Sequence, residues 1–226
     1  MTRNKTGFPF FIVLLSALLF NSIMLHGQSQ PARAFEEKGV ELVKKASEKL
    51  RSFGSVKIDF TYEMNNTNLD IRETMSGTLV SKGDKYHMKV GSNLFISDGT
   101  TMWSYLDDLD EVHISLVENS EGAITPTSIL EEFDAQFRAT FIRQEQTQGK
   151  TVDIIDLVPT TPQVFFKYRL AIDARNHLMV YAIAQDRQGG TYTYTINKLE
   201  QNPGVSDSMF IFPLSAYPGV EIIDLR

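Results

Sequence analysis

The chain contains no cysteine in its 226 residues. That excludes a disulfide framework, and it leaves no thiol on which a lipid anchor is built. Basic residues are also in deficit: 22 Lys and Arg stand against 28 Asp and Glu, a formal charge of −6. Such a balance argues against nucleic acid, which selects basic patches, and against unaided residence on an anionic membrane surface. Internal repeats, low-complexity tracts and a Gly-x-Ser-x-Gly elbow are all missing, so nothing points to a serine lipase. The histidines His26, His87, His113 and His177 are dispersed without metal-ligand spacing. Asp107, Asp108, Asp110 and Glu111 lack the pattern of a calcium loop and read as a solvated hairpin end. Neither a metal nor an enzymatic activity is expected.

A long apolar run occurs once, over residues 8–25, broken by Ser16, Asn21 and Ser22 and preceded by Arg3 and Lys5. This is the pattern of a secretory signal at residues 1–27, cleaved after Gly27 or at the later small-x-small site that ends at Ala34. A retained anchor is the competing reading, since about 18 residues is the lower edge for a spanning helix, but Pro9, Asn21 and Ser22 weaken it. The expectation is an exported, soluble domain over residues 28–226.

Hydrophobic period organises that domain. Residues 35–53 place Val43, Ala46, Leu50 and Phe53 on one helical face, with Gly54 as a stop in the position where positive φ is common. The period then drops to two: Val56, Ile58, Phe60, Tyr62 and Met64 alternate with Lys57, Asp59, Thr61 and Glu63, which predicts a strand with one dry face. Short strands are predicted over 74–81, 85–90, 94–97, 101–105 and 111–116. Asp98 and Gly99 suit a two-residue type I′ hairpin loop. A second helix over 125–138, opened by Thr125 and Pro126, carries Ile129, Leu130, Phe133 and Phe137 on one stripe. Further strands are predicted over 151–158, 164–173, 178–186, 191–199 and 209–212. Helices lying on one side of a mostly antiparallel sheet make this an α+β fold. Aromatic residues on such strands, Phe165, Phe166, Tyr168, Tyr192 and Tyr194 among them, serve either as packing or as the lining of a cavity.

Several words of the sequence, in order, resemble those of the bacterial outer-membrane lipoprotein carrier family, the LolA-like proteins. They are Val56-Lys57-Ile58-Asp59-Phe60-Thr61, Ser76-Gly77-Thr78-Leu79, the Ser97 to Tyr105 hairpin with Trp103, Ile124-Thr125-Pro126, Tyr181 to Asp186, Met209 to Phe212, and Pro218 to Asp224. The resemblance implies an incomplete, strongly curved antiparallel β-barrel covered by helices, whose apolar interior receives lipoprotein acyl chains in the periplasm, without catalysis or cofactor. It implies a monomer that meets an inner-membrane donor transporter and an outer-membrane acceptor transiently. The residues expected to line the lipid site are Phe60, Tyr62, Tyr86, Met88, Trp103, Ile129, Leu130, Phe133, Phe166, Tyr168, Tyr181 and Ile183, with Phe60 and Tyr62 facing Ile129, Leu130 and Phe133 across one hollow. Where the family has an Arg-Pro pair that ties barrel to lid, this chain has Ser81-Lys82-Gly83-Asp84. Lys82 is therefore the candidate latch, without the fixed donor fork of a guanidinium. The alternatives to carriage are a lipid-sensing regulatory module of the same fold and an ordinary interaction domain with a filled core.

Overall fold

The structure, a computed structural model, describes residues 30–119, 128–131 and 136–226. Phe35–Arg226 form one compact unit, and residues 30–34 are described only as the start of the first helix. That helix, α1, spans Gln30–Arg51. It buries Leu42, Val43, Ala46 and Leu50, while Lys45 on the opposite side pairs with Glu41 one turn earlier at 2.6 Å. Its end is closed by hydrogen bonds. Ser52 Oγ donates to the Lys49 carbonyl at 2.7 Å, and Asn202 Oδ1 accepts from the Gly54 amide at 2.7 Å. Gly54 is absent from the residues of positive φ, so the expected left-handed stop is replaced by a side-chain cap from the far end of the chain. Among the described residues no helix is long and apolar enough to cross a membrane.

After α1 come β1 (Val56–Asn66), β2 (Ile71–Lys82), β3 (Lys85–Val90), β4 (Asn93–Ser97), β5 (Thr101–Leu106) and β6 (Glu111–Leu116). A four-residue helix, α2 (Ser128–Glu131), precedes β7 (Phe137–Thr147), β8 (Lys150–Pro159), β9 (Phe165–Asp173), β10 (Met179–Asp186), β11 (Gly190–Gln201) and β12 (Glu221–Asp224). All twelve strands form one sheet in the order β12-β6-β5-β4-β3-β2-β1-β11-β10-β9-β8-β7. Within β1 to β6 and within β7 to β11 consecutive strands are antiparallel neighbours, β1 and β11 join the two meanders, and β12 lies parallel to β6. The sheet is open, with β12 and β7 as its edges, and curls into an incomplete barrel with α1 and α2 against its inner face.

Three sequence-based expectations are corrected here. Phe137 and Arg138 do not extend the second helix; they begin β7, where Phe137, Ala139 and Phe141 alternate inward and pair with Pro159, Leu157 and Ile155 of β8. Ile129, Phe133 and Phe137 also fit a helical stripe, but the period-two pattern wins through its ladder of backbone hydrogen bonds. Residues 207–210 form a 3-10 turn, not a strand. The β4–β5 loop is not type I′: only Gly99 has positive φ, and Asp98 Oδ1 accepts from the amides of Thr100 (2.9 Å) and Thr101 (2.8 Å) in an Asx-type turn.

The sheet has apolar side chains on both faces. Inward, α1 and α2 pack on Ile58 and Phe60 of β1, Leu79 of β2, Met88 of β3, and Leu157, Leu170 and Ala182 of β8 to β10. Outward, Leu94, Ile96, Tyr105, Val112 and Ile114 of β4 to β6 are covered by the C-terminal segment through Phe212, Tyr217 and Val220. The rings of Tyr105 and Tyr217 lie 4.6 Å apart, and those of Phe212 and Tyr217 4.9 Å. A smaller outward cluster, Val152, Ile154, Ala171 and Val180, lies on the other meander.

Candidate functional site

The inner face changes character along β1. Val56, Ile58 and Phe60 are buried beneath α1, whereas Tyr62 and Met64, on the same face, are only half-buried. The half-buried region continues sideways through Met75 on β2, Tyr86 on β3, Phe95 on β4, and Tyr192 and Tyr194 on β11, all packed against the dry floor. The rings form two groups: Phe60 to Tyr194 at 5.5 Å and Tyr62 to Tyr194 at 5.0 Å in one, and Phe165 to Tyr192 at 5.2 Å, Phe165 to Tyr168 at 5.9 Å and Phe137 to Tyr168 at 5.4 Å in the other. The result is an apolar trough whose floor is dry and whose rim is aromatic and accessible.

The electrostatics of the trough follow from that burial. Tyr62 and Tyr86 have phenol groups pushed up to about 12 by desolvation, and burial drives Tyr194 higher still. Each therefore remains a neutral hydroxyl throughout the physiological range. The Tyr192 phenol is raised as well, by burial first and then by the donation of its hydroxyl to Asp186 Oδ2 at 2.9 Å. That carboxylate also accepts from the Gly190 and Gln188 amides, which fixes the β10–β11 turn.

Of the residues expected to line the site, Phe60, Tyr62, Tyr86, Met88, Ile129, Leu130 and Tyr168 come together in the inner cluster. Phe133 lies outside the described residues. Four others point elsewhere. Trp103 pairs with Ile96 and Ile114 and packs in the outward cluster under the C-terminal segment. Tyr181 belongs to the outward cluster of the second meander, and its hydroxyl donates to Glu145 Oε1 at 3.4 Å. Ile183 alternates with the inward Ala182 and Ala184 and stands opposite Arg169, whose guanidinium donates to both oxygens of Asp156. Phe166 is 38% exposed: a register shift at the start of the β9–β10 ladder turns Phe165 inward in its place. Phe95 and Met75 are inward residues that sequence reasoning missed. On β4 the inward positions are Asn93, Phe95 and Ser97, so the apolar pair Leu94 and Ile96 marks the other face.

The expected hollow between Phe60 and Ile129 is also corrected in the region described. Both belong to one packed cluster, and the void under α1, lined by Ala46, Leu50, Ile58, Leu130 and His177 among others, measures about 20 Å³, room for one water. A larger half-open pocket of about 360 Å³ lies where α1 ends, between Leu50, Phe53 and Val56 on one side and Ser81, Gly83 and Asp84 on the other. Lys82, the candidate latch, pairs among the described residues with the C-terminal segment. Its Nζ donates to Asp207 Oδ1 at 2.9 Å, and Lys85 stands 3.8 Å from the same carboxylate, so an exposed pair ties the β2–β3 hairpin to the C-terminal segment.

Comparison with known proteins gives three results. None of the curated protein sequences matches the chain significantly. Among known structures, an uncharacterized conserved protein from Thermus thermophilus superimposes with a TM-score of 0.57 at 8% identity, over 83% of this chain and 99% of that one. A DUF1329 family protein from Desulfovibrio piger matches at 12% identity and a TM-score of 0.49 (81% and 99% covered), and a LolA superfamily protein from Nitrosomonas europaea at 10% and 0.45 (78% and 98%). At such identities the Thermus structure establishes the shared fold alone. The family model described as outer membrane lipoprotein carrier protein LolA matches residues 51–213, from the end of α1 through both meanders to Phe212 and Pro213. The chain belongs to the LolA family of outer membrane lipoprotein carrier proteins.

Proposed function

We propose that this protein is a periplasmic chaperone that takes up the acyl chains of lipoproteins in the trough and carries them from the inner to the outer membrane. The observation that carries the reading is the continuity of the dry floor with an accessible aromatic rim, from Phe60 to Tyr62, Tyr86 and Tyr194. The signal-like sequence pattern of residues 1–27 and membership of the family support it. The same reading takes the protein as a monomer that meets a donor in one membrane and an acceptor in the other.

Energetics say why a carrier is needed and how it loads. At about 0.8 kcal/mol per methylene, three chains of about 15 methylenes are worth on the order of 35 kcal/mol in water, so unaided diffusion between membranes is negligible. Non-covalent affinity saturates near roughly 20 kcal/mol, so the carrier covers the chains incompletely and surrenders them to a better acceptor. Loading competes with the lid. Ile129 and Leu130, the buried side chains of α2, are worth roughly 3 to 6 kcal/mol together, which about eight methylenes entering the trough offset.

The test is release from spheroplasts. The purified protein, added with an intact donor system, is expected to bring newly made lipoproteins into the medium as soluble one-to-one complexes. Binding without release would assign the trough to sensing, and no binding would refute the reading.

A further inference from the structure

Tyr62 and Tyr194 are directly opposed across β1 and β11, on the inner face, with rings 5.0 Å apart. They stand where the trough passes from dry to open: Phe60, two residues before Tyr62 on the same face, is 1% exposed, while Tyr62 is half-buried. Neighbouring Tyr192 gives its hydroxyl to Asp186. Among the described residues the hydroxyls of Tyr62 and Tyr194 have no hydrogen-bond partner. Two hydroxyls without a protein partner therefore stand on directly opposed residues of the inner face, with Tyr192 and Glu73 as their polar neighbours, and structural packing alone would be served equally by phenylalanine.

We propose that Tyr62 and Tyr194 form a subsite for the ester carbonyl of an acyl chain. The hydrocarbon runs inward over Phe60, and the carbonyl oxygen, at the boundary of the dry region, accepts from the tyrosine hydroxyls. A phenol is neutral near pH 7, and burial raises both further, so both hydroxyls are available as donors there. The donors register the head end of the chain, and the trough discriminates an acyl ester from an ether or a bare alkyl chain of equal length. A site built to hydrogen-bond a group rejects the analogue lacking it, because its own donors are then left buried without partners. This inference rests on the trough being the acyl-binding surface.

The experiment is calorimetric titration of the purified full chain with 1-palmitoylglycerol and with its ether counterpart 1-O-hexadecylglycerol, each below its aggregation threshold. The wild type is expected to bind the ester about threefold to tenfold more tightly, the span of one neutral hydrogen bond. In Tyr62→Phe/Tyr194→Phe the ratio of ester to ether affinity should fall to about one. Tyr62→Phe alone, which keeps its ring against Tyr194, should reduce the preference and serves if the double variant loses its near-ultraviolet circular dichroism. Equal binding of the two lipids by the wild type would overturn the subsite while leaving the acyl-binding reading intact. A preference that survives both substitutions would overturn the assignment to these tyrosines. Failure of the wild type to bind either lipid would overturn the acyl-binding reading, and the subsite with it.

Discussion

Phe60 lies across Gly77, its partner in the β1–β2 register: a Cβ built on Gly77 would stand 2.5 Å from Phe60 Cε2 and 2.9 Å from the Lys89 carbonyl oxygen. The ring covers the gap left by the missing side chain and so floors the trough. Gly77→Ala is expected to displace the ring against a backbone that cannot yield, at a cost of about 1 to 3 kcal/mol. A lower urea midpoint with unchanged slope checks it; an unchanged midpoint would show that β2 accommodates the methyl.

The buried tyrosines make stability depend on alkaline pH. A phenol whose folded value is raised contributes stability fully below its unfolded value near 10 and loses it as pH rises through the folded value. For Tyr62 and Tyr86 that window runs from about 10 to about 12. Phenolate absorbance should therefore show a late-titrating fraction that appears together with unfolding, and Tyr62→Phe and Tyr86→Phe should each diminish it. Full ionisation of all tyrosines near pH 10 in the folded protein would contradict the burial described.

The tie between Lys82 and Asp207 responds at the other end of the scale. The Lys82 hydrogen bond and the charges of Lys82 and Lys85 lower the Asp207 carboxyl. A depressed carboxyl contributes stability above its unfolded value and loses it as pH falls through the folded one, so the C-terminal segment should loosen only in acid, below about pH 4. Both partners are exposed, so the global effect is small. Amide exchange at Met209 to Ile211 should accelerate in Lys82→Leu at neutral pH and in the wild type in acid, while α2 is unaffected. Faster exchange at Ile129 and Leu130 in Lys82→Leu would restore Lys82 as a latch on the lid.

Strand alternation is legible wherever one face is dry and the other wet. Val56 to Met64 shows its inner residues directly, and β3 and β6 coincide with the segments expected. Alternation names two faces but not which one the helices cover. On β4 and β5 the C-terminal segment buries the outer face, so Ile96 and Trp103 carry an apolar signal as strong as that of the inner Phe95. Tyr181 and Ile183 mislead for the same reason, since β10 alternates small inward residues, Ala182 and Ala184, with larger outward ones. The inward turn of Phe165 depends on a register shift that only the pairing with β10 reveals. The segment 137–147 satisfies two periods at once over its first residues, and the partner strand β8 decides between them.

The packed state of Ile129 and Leu130 changes what a lid substitution should do. If an acyl chain occupies the space these two side chains fill, they compete with it, and the competent state is populated only when α2 lifts. Ile129→Ala removes buried surface worth about 2 to 5 kcal/mol of docking, shared between lid and global stability. The variant is expected to melt lower and yet to take up a fluorescent palmitoyl probe roughly tenfold faster than the wild type in stopped-flow measurements, the consequence of about 1.4 kcal/mol less lid docking. Ile129→Glu should lose both stability and final affinity, because a carboxylate would border the apolar floor when the lid recloses over the chain. Slower uptake by Ile129→Ala would mean that Ile129 grips the ligand and does not compete with it. An unchanged rate in a destabilised Ile129→Ala would direct the chain instead through the half-open pocket between Phe53 and Gly83 at the end of α1.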